Sequence, residues 1–480
     1  MASAYKTPGV YIEEVPKFPP SVAPVETAIP AFIGYTERAQ YAVANDLNLR
    51  PTRIASLVEY EELFGGPQPE EDVNVAATVT TENSVVKAQA AVASLAESAR
   101  SKHILHYALQ MFFANGGGPC WIVSVGLYKA TFAAVPDVAE LVKGLEALEK
   151  EDEPTLIVVP EAQSLTIANF KTLQEAALAQ CEKLQDRFVI MDLHGDDISM
   201  SEPKATDKLL TAVGNFRDDG IGTKSLKYGA VYAPNIETTL DLAVDDKKTD
   251  ITITTDGAAA SAVKLNTLKE SNNALYELAR TAIKDMPCVL PPSSAIAGIY
   301  AAVDNSRGVW KAPANVSLSN VVATTFQFTN VEQDQMNMDV TAGKSVNAIR
   351  SFVGRGTLVW GARTLAGNDN EWRYVNVRRF FIFVEESVKK ATHQFVFEAN
   401  DANTWVKVQG MIENFLTTLW RQGALQGSKP EHAFYVAVGL GKTMTALDIL
   451  EGRMIIEVGM AAVRPAEFII LRFSHKMAES

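Results

Sequence analysis

The spacing of apolar and polar positions changes several times along this chain, and each change marks a different kind of structure. Near the start, Val10-Tyr11-Ile12-Glu13-Glu14-Val15 has strand composition. Pro16, Pro19, Pro20, Pro24 and Pro30 then space the chain so that no helix can form, and the stretch reads as an extended arm. A second short strand, Ala31-Phe32-Ile33-Gly34-Tyr35, follows. Isolated by prolines, it has no hairpin partner nearby and must pair with something distant, in its own chain or in another.

From about residue 84 the pattern turns to alternating helices and strands. Ser84 to Asn115, rich in Ala, Leu, Gln and Lys, predicts a helix that stops at Gly116-Gly117-Gly118-Pro119. Apolar runs at Cys120–Val125, Leu156–Val159, Phe188–Met191 and Ala230–Tyr232 alternate with helical stretches near 166–184 and 203–218. That rhythm implies a parallel sheet covered on both faces, and so an α/β fold class. Residues 240–268 interrupt it. Asp250-Ile251-Thr252-Ile253-Thr254-Thr255 alternates apolar and polar before the turn Asp256-Gly257, which predicts a small exposed β-hairpin. Towards the C-terminus, Arg378–Val384 reads as a strand leading into a helix over Glu385–Phe397. A further helix runs from Trp405 to about Gln422, capped by Asn403 or Thr404, with Trp405, Val408, Ile412, Phe415, Leu416, Leu419 and Trp420 on one stripe. Lys407, Asn414, Thr418 and Arg421 lie opposite. Strands at Ala433–Val438, Met454–Val458 and Glu467–Phe473 close the chain.

Length and composition narrow the function. A chain of 480 residues calls for two or three domains, and 47% hydrophobic with 21% charged residues is an ordinary globular balance. The formal charge of −13 comes without a basic block, which argues against a nucleic-acid binder. Cys120, Cys181 and Cys288 are far apart with no CxxC spacing, so they read as buried thiols and not as a zinc site. No signal peptide and no membrane-length apolar stretch are visible, which points to synthesis in the cytoplasm without a cleaved leader and to no direct membrane insertion.

Several segments in order resemble the contractile tail sheath proteins of phages and contractile injection systems. They are Thr7-Pro8-Gly9-Val10-Tyr11-Ile12-Glu13-Glu14, Phe112-Phe113-Ala114-Asn115-Gly116-Gly117-Gly118, and Pro291-Pro292-Ser293 through Ala297-Gly298-Ile299-Tyr300. Arg307-Gly308-Val309-Trp310-Lys311-Ala312-Pro313-Ala314-Asn315, Val346-Asn347-Ala348-Ile349-Arg350 and Val359-Trp360-Gly361-Ala362-Arg363-Thr364-Leu365 follow. Tyr374-Val375-Asn376-Val377-Arg378-Arg379, Phe397-Glu398-Ala399-Asn400-Asp401 and Arg464-Pro465-Ala466-Glu467-Phe468 complete the set. Asn235, where an aromatic is common in the family, and Ala461-Ala462-Val463 ahead of Arg464 are departures.

The resemblance implies a structural subunit, not an enzyme, with no cofactor and no metal. Its fold would combine an outer α/β (subtilisin-like-type) domain at 26–355, carrying the 240–268 hairpin, with an α+β inner domain at 356–480 joined by the N-terminal arm at 1–25. Its copies would stack as hexameric rings into a helical sleeve around an inner tube protein, bounded by baseplate and cap proteins. Contraction of that sleeve would drive the tube through an envelope. Extended arms at both ends would exchange strands between copies, through Tyr11, Ile12, Val15, Phe468, Ile470 and Leu471. Lys407 and Arg421, on the polar face of the helix from Trp405, are candidates for a tube-facing surface, with a solvated or sheath–sheath face as the other reading. The particle would be a phage tail or an injection device, and a minor sheath paralogue at the baseplate or cap end is the alternative role.

An α/β hydrolase-like enzyme is the reading from another class, and it lacks an assembled nucleophile and base. Gly439-Leu440-Gly441-Lys442-Thr443 ends like a P-loop but has Val436 where the pattern needs glycine, and reads as a turn. Asp192 and His194 stand too close together to be separate members of a protease triad. His103 and His106 share a helical face without a third ligand and read as surface or core histidines.

Overall fold

The computed structural model describes residues 21–83, 85–132, 134–195, 205–258, 261–339 and 341–470. Packing separates them into two compact units, one made of residues 26–383 with 464–470, the other of residues 21–25 with 384–463. The division falls at 383/384, within the helix Val375–Thr392. Residues 464–470 pack with the larger unit.

The larger unit is organised by a nine-stranded sheet. Its order is Val316–Ser317, Gly356–Val359, Val346–Phe352, Gly229–Ala233, Phe188–Asp192, Leu156–Val158, Pro30–Thr36, Cys120–Leu127, Thr52–Ile54. The six strands from Val346–Phe352 to Cys120–Leu127 run parallel, and the outer strands on either side are antiparallel. Central strands buried on both faces are apolar along their whole length. Phe188–Asp192 and Gly229–Ala233 have no exposed position, as a sheet covered by helices on both faces demands. The strand Pro30–Thr36 finds its partners at home, between Leu156–Val158 and Cys120–Leu127.

Two pairs of helices cover this sheet: Val138–Leu148 with Ile167–Leu184, and Leu105–Ala114 with Ser293–Arg307. The second pair approaches closely at two glycines. A side chain on Gly298 would lie 2.5 Å from the Phe112 carbonyl, and Gly116 adopts φ 95 with Ala302 against it. These contacts explain why the two motifs carry glycine there.

The predicted hairpin is present as Asp250–Thr255 and Ser261–Lys264, but it is half of a four-stranded sheet. Its other half is Asn74–Glu82 paired antiparallel with Val85–Ser94. The helix expected over 84–115 is therefore wrong for about its first two thirds. Residues 85–94 are a strand, and the helix is only Leu105–Ala114. Ala, Lys and Gln favour a helix locally, yet Asn83 takes the left-handed conformation of a tight turn. The returning strand then places Ala91 and Ala93 against the core.

The smaller unit is built on the helix Ala402–Arg421. It packs against a two-stranded antiparallel sheet, Phe434–Val438 with Ile456–Met460. Val408, Met411, Ile412, Phe415, Leu416 and Leu419 form the buried stripe. The cap is Asp401, whose carboxylate accepts the Thr404 N–H at 3.0 Å, and not Asn403 or Thr404. Trp405 and Trp420 are only half-buried, their indole N–H groups donating to the Asn400 side chain and to the Gly427 carbonyl. Val25 joins this unit through its N–H to the Ser387 hydroxyl at 3.2 Å.

Two further strand expectations fail. Arg378–Val384 lies inside the helix Val375–Thr392, because a short apolar run cannot be told from a buried helix by its periodicity. Residues 464–470, expected to begin a strand at Glu467, form none.

Candidate functional site

Most chemistry-bearing residues singled out in the sequence prove to hold the fold together. Asp192, at the end of its strand, accepts the Ser293 N–H at 2.7 Å and the Ser293 hydroxyl at 2.6 Å. It thereby caps the helix Ser293–Arg307 from across the fold. Burial pushes its carboxyl up to about 7 despite those two donors. His194 instead contacts the Leu165 carbonyl at 2.7 Å and packs on Phe170, so Asp192 and Ser293 pair with no imidazole between them. No acyl-transfer site is assembled from these residues.

His103 and His106 are core residues. His103 Nε2 accepts the Lys129 N–H at 3.2 Å, which places the imidazole proton of the neutral ring on Nδ1, facing Glu161 at 3.7 Å. His106 Nε2 lies 2.9 Å from Glu61. Among the described residues no group of three or more His, Cys, Asp or Glu side chains is placed to hold a metal ion. The three cysteines are buried and unpaired, with their thiols pushed up by desolvation. Gly439–Thr443 forms a turn between elements, with Gly439 and Gly441 at positive φ and the Thr443 hydroxyl on the Ile455 carbonyl.

The assembly candidates sit elsewhere. Tyr11, Ile12, Val15 and Leu471 lie outside the described residues. Phe468, Ile469 and Ile470 are 65%, 79% and 77% exposed, so this apolar stretch is not packed on its own subunit. Immediately before it, Glu467 is held by three donors. Arg363 reaches it through Nε at 2.9 Å and Nη2 at 2.6 Å, the Tyr374 hydroxyl at 3.1 Å and the Asn337 amide at 2.9 Å. Sequence reading noted Glu467, Arg363 and Tyr374 only as parts of separate motifs, and nothing in their spacing announced that they meet. On the helix Ala402–Arg421, Lys407, Asn414, Thr418 and Arg421 are all exposed, as their spacing predicted.

The described residues thus combine a mixed fold with an exposed apolar stretch at Phe468–Ile470. The chain belongs to the contractile tail sheath family. Residues 136–365 match the phage tail sheath protein central domain, and residues 367–476 match the phage tail sheath C-terminal domain. Over nearly its whole length the chain is similar to a chain of the anti-feeding prophage baseplate, with 32% identity, 99% of this chain and 100% of that one covered, and a TM-score of 0.64. It is equally similar to the sheath complex of the extracellular contractile injection system PVC in the contracted state, with 30% identity, 99% of both chains covered and a TM-score of 0.64. The tail sheath protein of Vibrio phage KVP40 is 24% identical over 136 residues, which is 28% of this chain and 20% of that protein. The protein is a structural subunit of a contractile sheath, a component of a phage tail or injection system.

Proposed function

We propose that copies of this subunit stack as hexameric rings into a helical sleeve around an inner tube, tied to one another by strand exchange of their terminal arms. The observation that carries the reading is the pairing of two features. Phe468–Ile470 leaves the larger unit as an exposed apolar stretch. The smaller unit holds a sheet that contains only two strands among the described residues. An arm added to a sheet edge satisfies the backbone groups of both, and its alternate side chains give register. Each added hydrogen bond contributes about 1 kcal/mol net, so several per arm make a durable link. The contact joins unlike surfaces, so repetition builds an open helix and not a closed dimer.

In this reading residues 1–25 and 384–463 form the inner, linking layer, with Tyr11, Ile12, Val15, Phe468, Ile470 and Leu471 as the exchanged strands. Residues 26–383 form the outer body, from which the C-terminal arm leaves. Lys407 and Arg421 face the inner tube. The extended lattice is metastable, and contraction gains buried area or better charge pairing between bodies without nucleotide. One end of the sleeve meets a baseplate, in keeping with the similarity to a chain of a baseplate assembly, and the other a cap protein.

Electron microscopy of the purified protein tests the sleeve, which predicts rings or striated tubes. Deleting residues 1–20 tests the linkage. The shortened chain is expected to stay folded and soluble and to lose polymerisation, and normal tubes from it would refute strand exchange by the N-terminal arm.

A further inference from the structure

The clasp on Glu467 has a geometry that its place in the chain makes consequential. Its donors come from three places: Asn337 at the end of a helix, Arg363 after the strand Gly356–Val359, and Tyr374 just before the helix Val375–Thr392. Arg363 is itself fixed. Its side chain is 4% exposed, its N–H donates to the Asn347 side chain at 2.7 Å, and its carbonyl accepts from the same amide at 2.8 Å. Asn347 is fully buried and also donates to the Val231 carbonyl in the neighbouring parallel strand. Asn347 thus fixes the Arg363 backbone at the root of the side chain, and the guanidinium meets both oxygens of the Glu467 carboxylate. Burial raises the Glu467 carboxyl, but Arg363, Asn337 and Tyr374 outweigh it and hold the group below the usual carboxylate range. This anchor stands one residue before Phe468, where the exposed apolar stretch begins.

We propose that Glu467 is the positioning residue of the C-terminal arm: clasped by Arg363, Tyr374 and Asn337, it fixes where the arm leaves its own subunit and in which direction, so that a second copy of the chain receives it from a rigid root. This rests on the strand-exchange reading given above. An arm that starts from a fixed point has fewer conformations to lose when it docks, and it reaches one neighbour in preference to others. The clasp also assigns the load. Tension in the arm passes to the larger unit, into the sheet through Arg363 and Asn347.

Four variants test this, read by deuterium exchange over residues 464–470, by melting temperature and by the fraction of protein that sediments as polymer. Glu467→Ala is expected to raise exchange in the arm root at least tenfold and to cut the sedimenting fraction at least tenfold, with the melting temperature of the body within a few degrees of the parent. A chain ending at Glu467 should lose polymerisation to the same degree. If that truncated chain polymerises normally, the strand-exchange reading itself is wrong for this arm, and the positioning role falls with it. If the truncation blocks assembly while Glu467→Ala assembles and exchanges like the parent, the positioning role alone is overturned. Should Glu467→Ala fail to fold with Arg363 left buried and unpaired, Glu467→Gln and Tyr374→Phe decide the matter. Both are expected to lose assembly in proportion to the gain in exchange at the arm root, and parental values in both overturn the proposal.

Discussion

At the scale of single residues, the side chains that make this sequence recognisable are mostly clamps. Asn347 ties Val231 to Arg363, and Asn115 joins the end of its helix to Ser319 through both an accepted and a donated bond. Arg379 is buried against Asp304 at 2.5 Å and also donates to the Thr27 carbonyl. Asp192 is the residue whose chemistry is most exposed to experiment. Its carboxyl is raised to about 7 in the folded chain against 3.8 in the open one, so the folded state binds the proton more tightly. Its contribution to stability is fully present below about pH 4 and is lost as pH rises through about 7, at roughly 1.4 kcal/mol per pH unit while it titrates. Asp192→Asn keeps a side chain able to accept the Ser293 N–H and has no proton to lose. Urea unfolding between pH 5 and 8 should show the parent losing stability relative to the variant as pH rises. A constant difference between the two would remove this account.

At the scale of elements, ends and registers matter more than interiors. Asp401 closes the helix Ala402–Arg421 by accepting the Thr404 N–H, and hydrogen bonds from the backbone hold its carboxyl low. Asp401→Ala should destabilise the helix and lower the unfolding midpoint, as the loss of a cap does. Chemical unfolding followed through Trp405 and Trp420 is the check. The sequence placed the buried stripe of that helix and its exposed positions, because an amphipathic period of 3.6 is a strong local signal. It misplaced the strand Val85–Ser94 and the helix through Arg378–Val384 for one shared reason. In both, what decides is the surface the segment lies on. Alanine-rich sequence becomes strand beside Asn74–Glu82, and an aromatic run becomes helix when packing encloses it.

At the scale of the whole molecule, the proposed sleeve would depend on surfaces that the subunit leaves exposed. Lys407 and Arg421 are exposed on one helix, and with Arg421→Glu and Lys407→Glu combined the subunit should fold as before while its copies bind an inner tube at least tenfold more weakly. The parent's binding should weaken with added salt and the variant's should respond less. Co-sedimentation with purified tubes at two salt concentrations reads both effects, and equal binding by parent and variant would place the tube contact elsewhere.

The ordered motifs by themselves determined the family of this protein, and the apolar runs determined its parallel central sheet. Both kinds of information are local, since a motif or a buried strand is written in consecutive residues. Tertiary structure alone decided that Asn337, Arg363 and Tyr374 converge on Glu467 across up to 130 positions of chain, that Asp192 caps a helix 101 residues away, and that residues 464–470 belong with the larger unit. Pairings at such separations depend on where the folded backbone brings side chains together, and no short-range pattern of polar and apolar residues carries that distance.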